Sequence, residues 1–251
     1  MIITTQGLGF IAIPKTGSTT VETVLHENEL VSCRNSAKHI DYQCVEQYIE
    51  PMLEALRKDP VHFFAVVRNP AERLFSWHRY RQRPSIKNRK RSTADISFSD
   101  FCQRVLDNKS EDGPFYIRSQ ADFIKAKTGE FGVKTLLKLE SLNITLPKLL
   151  EIFSISVDEP NLHLNKSRSK NGDALTDDLR RTINSSAMFR EDYDLHQSAL
   201  STPQEVEMVI DQWRAASRPN AGPSAGMNEK TVHKNAIGKP LAAAPMGNDR
   251  G

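Results

Sequence analysis

The string Phe10-Ile11-Ala12-Ile13-Pro14-Lys15-Thr16-Gly17-Ser18-Thr19-Thr20 admits few backbone paths. An apolar run near the N-terminus breaks at a proline and crosses a lysine, a glycine and four hydroxyls. It then continues into Val21, Glu22, Thr23, Val24 and Leu25 at helical spacing. That order predicts a strand, a tight turn and a helix. A helix N-terminus offers unpaired amide N–H groups and the positive end of the dipole, so a turn rich in small and hydroxylated residues suits a phosphate there. Lys15 adds a mobile positive charge.

The position of the lysine narrows the reading. In the nucleoside-triphosphatase loop, G-x-x-x-x-G-K-[ST], the lysine follows the second glycine. Here Lys15 precedes Gly17, and no glycine stands five positions upstream of it. The turn reads as a phosphate loop of another kind.

A second unit repeats the pattern. Val61 to Val67 is a continuous apolar run with β-branched and aromatic residues, which predicts a strand buried on both faces. It ends at Arg68-Asn69-Pro70, where Asn69 is a helix cap, Pro70 the first helical residue and Ala71 to Arg81 the helix. Two strand–turn–helix units predict a parallel sheet with crossover helices. Arg68 leaves the strand end and Ser76 follows eight positions later, so the helix between them can bring one guanidinium and one hydroxyl to the same phosphate. Arg73 lies on the same predicted helix and reads equally as a surface ion pair.

Together these residues carry a resemblance. The string from Pro14 to Thr20 resembles the 5′-phosphosulfate loop of sulfotransferases that use 3′-phosphoadenosine 5′-phosphosulfate (PAPS), and the Arg68–Ser76 pair resembles their 3′-phosphate site. Pro160 to Ser167, including His163, resembles a loop of the glycan-directed, Golgi-type branch. Phe189 to His196 resembles that branch's late acidic–aromatic segment, with His196 where a tyrosine is usual. The resemblance runs with gaps from Phe10 to His196 and suits a soluble, bacterial-type member. It does not extend to the 82–108 region or the tail.

The resemblance implies a P-loop-like three-layer α/β fold, with a short central parallel sheet flanked by helices. It also implies transfer of a sulfuryl group from PAPS to an acceptor hydroxyl of a glycan or glycosylated small molecule, by in-line displacement without a metal. On this reading Pro14, Lys15, Thr16, Gly17, Ser18, Thr19 and Thr20 bind the 5′-phosphate end of the nucleotide, with Lys15 at the leaving oxygen. Arg68 and Ser76 hold the 3′-phosphate. Of seven histidines, His39 is the candidate base because Lys38-His39 lies between the two phosphate motifs, and His163 is the runner-up. His163 and Glu140 are candidate acceptor contacts, although Glu140 reads equally as the partner of an arginine. His62 and His78 read as structural.

Two other functions compete. A nucleotide kinase needs a metal-binding acidic residue at a strand end, where this chain has Arg68. A non-catalytic nucleotide- or anion-binding module would keep Lys15, Arg68 and Ser76 without needing His39.

A chain of 251 residues with a net charge of +3 is too balanced for general nucleic-acid binding. The positive charge is local, in the runs 79–83 and 87–91, where it is either solvated or attracts an anionic acceptor. Three cysteines without C-x-x-C spacing suggest neither a disulfide framework nor a zinc site. With no long apolar run and no signal-peptide pattern, the expected location is the cytoplasm and no transmembrane segment is expected.

The remainder predicts a polar connection over 26–37 and a helix over 42–58 kinked or split at Pro51. A helix capped by Ser97 or Ser99 follows, then a helix over 116–127 and a strand over 133–139 with Glu140 at its end. The last predicted helices cover 146–153, 177–186, 189–196 and 203–216. A catalytic domain over 1–217 is expected, and 218–251 reads as a disordered tail.

Overall fold

Phe10, Ala12, Phe64 and Val66 pack in one hydrophobic cluster while Ile11, Ile13, Ala65 and Val67, which alternate with them, pack in another. Alternation across a strand sends neighbours to opposite faces, so both faces of these strands are covered. The computed structural model describes residues 1–56, 59–86, 89–108, 111, 113–156 and 174–217. His163, the 160–167 loop, Lys87, Asn88 and the 218–251 tail lie outside the described residues.

Five strands form one sheet: β1 (Ile2–Thr4), β2 (Leu8–Ile11), β3 (Glu29–Ser32), β4 (His62–Val67) and β5 (Thr135–Lys138), in the order β3-β1-β2-β4-β5. The expected parallel core is β2-β4-β5, with Phe10 opposite Phe64 and Phe64 opposite Thr135. β1 pairs antiparallel with β2, and β3 pairs antiparallel with β1 at the edge, so that β3 runs in the direction of the core strands. Sequence reading takes the 26–37 region as a connection; β3 lies there as an edge strand, none of its four residues buried, so it lacks the apolar pattern of an inner strand.

Helices cover both faces. On one side α1 (Ser18–Leu25), α7 (Leu142–Ile152) and α10 (Pro203–Ser217) supply Val21, Leu25, Leu146, Leu149, Val206 and Ile210 to the first cluster. On the other, Val45, α3 (Glu50–Leu56), α6 (Ala121–Ile124) and α9 (Arg190–Ser198) supply the second. A third cluster joins α4 (Pro70–Arg81), α5 (Phe98–Asp107) and α8 (Asp177–Ser185) through Ala71, Leu74, Phe101, Val105 and Ile183. The result is the expected P-loop-like α/β fold.

Local chemistry sets the ends and breaks. The Asn69 side chain accepts from the amides of Ala71 and Glu72, and the Ser97 hydroxyl accepts from that of Asp100. Between α2 (Tyr42–Cys44) and α3 the chain widens into a π-helical stretch, Val45–Ile49. Pro51 has no N–H for the carbonyl four residues back and its ring crowds that carbonyl, so the break expected at Pro51 falls just ahead of it, with Pro51 itself inside α3.

The helix expected over 116–127 shrinks to α6 because side chains take the preceding backbone groups. Arg81 donates to the carbonyls of Pro114 and Tyr116, and Arg73 donates to that of Arg118.

His62 and His78 are buried, as a structural role requires. His62 Nε2 is hydrogen-bonded to Thr135 Oγ1 at 2.8 Å, and its ring packs against Trp213 at 4.5 Å between centroids. Burial, with Arg214 adding to it, pushes its pKa down to about 4. Between about pH 6.5 and pH 4 the unfolded chain therefore binds a proton that the folded chain refuses, and stability falls as pH falls. The expected loss is roughly 3 kcal/mol. Denaturant titrations of wild type and His62→Gln at pH 7 and pH 4.5 should show a smaller pH-dependent loss in the variant; equal losses would contradict this assignment.

Candidate active site

β2 and β4 run parallel, so Pro14 and Arg68 leave the same edge of the sheet. The first turn is tightly wound: Lys15 has φ 69° and Gly17 φ 81°, both left-handed. A side chain at Gly17 would be strained by that φ, and its Cβ would lie 2.7 Å from Leu139 Cδ1. The buried Thr16 hydroxyl closes the turn by donating to the Ile13 carbonyl at 3.0 Å. Gly17 is thereby the residue before α1, and the first amides of α1 open at the turn. Ser18 is buried, Thr20 half-buried and Thr19 exposed.

Lys15 reaches across to α4. Its ammonium lies 4.4 Å from the centroid of Tyr80 and 5.9 Å from that of Trp77. Burial, then the charges of Arg83 and Arg68, lower its pKa to about 8. Arg83 lies on the Tyr80 ring as well, at 4.9 Å. No carboxylate pairs with Lys15 among the described residues, so an anion arriving here meets uncompensated positive charge.

His39 is held at the same strand end. Its Nδ1 lies 2.6 Å from the Ala12 carbonyl, and donation there leaves Nε2 as the basic nitrogen. Burial lowers its pKa, against opposition from the Ala12 hydrogen bond. The segment carrying it is pinned on all sides. The N-terminal ammonium donates to the Lys38 carbonyl at 2.7 Å, Lys38 pairs with Glu22 of α1 at 2.5 Å, and Asp41 pairs with Arg118 at 2.7 Å.

The second turn carries Arg68, whose guanidinium lies 3.5 Å from Glu72; the other Glu72 oxygen is held by Arg180 at 2.8 Å. Burial lowers the Arg68 pKa, with Glu72 and Glu140 acting against it. Ser76 is half-buried on α4, next to Trp77. Its hydroxyl and the Arg68 guanidinium are not bonded to each other. Glu140 lies in the 3₁₀ turn after β5, where His196 is its direct partner at 3.1 Å. Burial raises the Glu140 pKa, but the His196 bond and the charge of Arg68 leave it below its ordinary value.

Sequence reading missed the residues beneath the site. Arg73 is 2% exposed, a buried residue and not a surface ion pair. It donates to the Pro14 carbonyl at 3.0 Å and faces buried Asp192 at 3.8 Å. Asp192 accepts from the amides of Gln120 and Ala121, and the buried Gln120 side chain both accepts from the Arg68 amide and donates to its carbonyl. The available signal was the position of Arg73, beside Leu74 and one turn before Trp77, where a charged side chain needs a buried partner.

The arrangement offers a tight turn at a helix N-terminus, a second turn carrying Arg68 beside it, a lysine with no paired carboxylate among the described residues and a histidine oriented by a backbone carbonyl. Among the described residues no helix is long and apolar enough to cross a membrane and no cluster of ligating side chains could hold a metal ion. No curated protein matches the chain. Residues 1–197 match the profile of the sulfotransferase family, spanning the sheet, both turns and α9 up to its penultimate residue, and the chain belongs to that family.

Proposed function

We propose that the protein transfers a sulfuryl group from PAPS to an acceptor hydroxyl, with a glycan or glycosylated small molecule as acceptor and His39 as the base. The observation that carries this reading is the pairing of two anion-binding turns at neighbouring ends of the parallel strands β2 and β4. A ligand phosphorylated at both ends of its nucleoside uses both turns, whereas a nucleoside triphosphate needs only one.

The donor set suits such a ligand. Pro14 to Thr20 supply backbone amides and hydroxyls for the 5′ end, and Arg68 and Ser76 a guanidinium and a hydroxyl for the 3′-phosphate. In the transfer, the acceptor oxygen bonds to sulfur as the bond from sulfur to the bridging phosphate oxygen breaks. His39 Nε2 takes the acceptor's proton, and Lys15 meets the charge that builds on the bridging oxygen. That charge is larger in the transition state than in the ground state, so the lysine lowers the barrier. A positioned base contributes about 10²- to 10⁴-fold.

Calorimetry should show 3′-phosphoadenosine 5′-phosphate binding at least about tenfold tighter than AMP, a difference of roughly 1.4 kcal/mol; equal affinities would remove the 3′-phosphate site. Lys15→Ala should lower turnover far more than nucleotide affinity, and His39→Ala should abolish transfer while leaving that affinity intact. Normal turnover in either variant would refute its assigned role. The pH profile of kcat/KM should rise as His39 loses its proton below its ordinary value of 6.5 and fall as Lys15 loses its own near 8. In Lys15→Arg the alkaline limb should vanish; a fall persisting near pH 8 would assign it to another group.

A further inference from the structure

We infer that Arg73, Gln120 and Asp192 are positioning residues that form a buried brace joining the two anion-binding turns, so that the spacing between the turns is fixed before any ligand arrives. Arg73 Nε donates to the Pro14 carbonyl at 3.0 Å and Nη1 to the Arg118 carbonyl at 2.9 Å. The guanidinium faces Asp192 at 3.8 Å. Asp192 in turn accepts from the Gln120 amide at 2.7 and 2.8 Å and from the Ala121 amide at 3.0 Å. The Gln120 side chain closes the chain of contacts on the backbone of Arg68, accepting from its amide at 2.9 Å and donating to its carbonyl at 2.8 Å. Pro14 opens the first turn and Arg68 opens the second.

Burial makes this more than a surface network. Arg73, Asp192 and Gln120 are 2%, 1% and 0% exposed. A charged pair without water persists only when its geometry and hydrogen bonds offset desolvation, and removing one partner leaves the other as an uncompensated buried charge. Satisfied networks of this kind hold one arrangement of the groups they join. The two end contacts of the brace fall on backbone atoms of the turns, the Pro14 carbonyl and the Arg68 amide and carbonyl, so the brace acts on the path of the main chain. The brace also explains why α9 belongs to the site: Asp192 is its only fully buried acid.

The ligand arm of the test rests on the nucleotide reading above; the structural arm does not. In Gln120→Met the clamp on Arg68 is lost while the Pro14 contact stays. Affinity for 3′-phosphoadenosine 5′-phosphate should then fall about tenfold, with affinity for AMP changing less than about twofold. In Arg73→Lys the charge opposite Asp192 is kept but the fork to Pro14 and Arg118 is lost, and both nucleotides should weaken by similar factors.

Hydrogen exchange on the ligand-free, full-length protein supplies the independent readout. The Arg68 amide should exchange faster in Gln120→Met, and the Thr20 and Val21 amides, which close the first turn on the Gly17 carbonyl, faster in Arg73→Lys, with the strands β2 and β4 unchanged. Should Arg73→Lys fail to fold, Arg73→Met combined with Asp192→Asn removes both charges together and should show the same loosening at Thr20 and Val21. Unchanged exchange at these amides, or a uniform rise throughout the sheet, would overturn the brace. Equal wild-type affinity for the two nucleotides would overturn the nucleotide reading alone.

Discussion

The parallel pairing of β2 with β4 is the constraint on which the rest depends. With Phe10 opposite Phe64 and Ile11 opposite Ala65, the two chains leave the sheet side by side and in the same direction. Adjacent strands are separated by about 4.8 Å, so the two turns proposed to bind phosphates become neighbours without any long-range adjustment. Ligands of open α/β sheets sit outside the carboxyl ends of strands for this reason. Here the pairing is secured by burial on both faces, which fixes the register: a one-residue slip would exchange the Phe10 and Phe64 face with that of Ile11 and Ala65.

That edge concentrates positive charge. Burial, then the charges of Arg83 and Arg68, lower the Lys15 pKa to about 8, and no acid pairs with the lysine among the described residues. Of the other charges, Arg68 is paired with Glu72, which also holds Arg180, while Glu140 holds His196 and Glu22 holds Lys38. In the free protein this charge is unfavourable, and an anionic ligand turns the same groups to advantage. His39 has Nδ1 committed to the Ala12 carbonyl, and burial lowers its pKa, which favours the neutral ring.

Much of the frame was legible because its signals are local. The apolar runs ending at Ile13 and Val67, the glycine at 17 and the asparagine at 69 act within a few residues of themselves, and each marks the element it predicts. The edge strand β3 was illegible because it has no buried face to impose alternation. The backbone before α6 was illegible for another reason. Its carbonyls are claimed by Arg73 and Arg81, and the Gln120 amide by an aspartate 72 residues further on. No window along the chain contains both partners. Arg73 was misread for the same cause, since a charged residue on a helix looks exposed until its buried acid is known. Motif order was thus enough to nominate the two turns, while Arg73, Gln120 and Asp192, whose bonds reach the Pro14 and Arg68 backbone, belong to no such motif.

The central claim is that two strand ends grip the two ends of one nucleotide. A crystal structure of the full-length protein with 3′-phosphoadenosine 5′-phosphate tests it most directly. The account predicts the 5′-phosphate within the turn from Pro14 to Thr20 and the 3′-phosphate between Arg68 and Ser76. A nucleotide with its 3′-phosphate in solvent, or with the two phosphates exchanged between the turns, would contradict it.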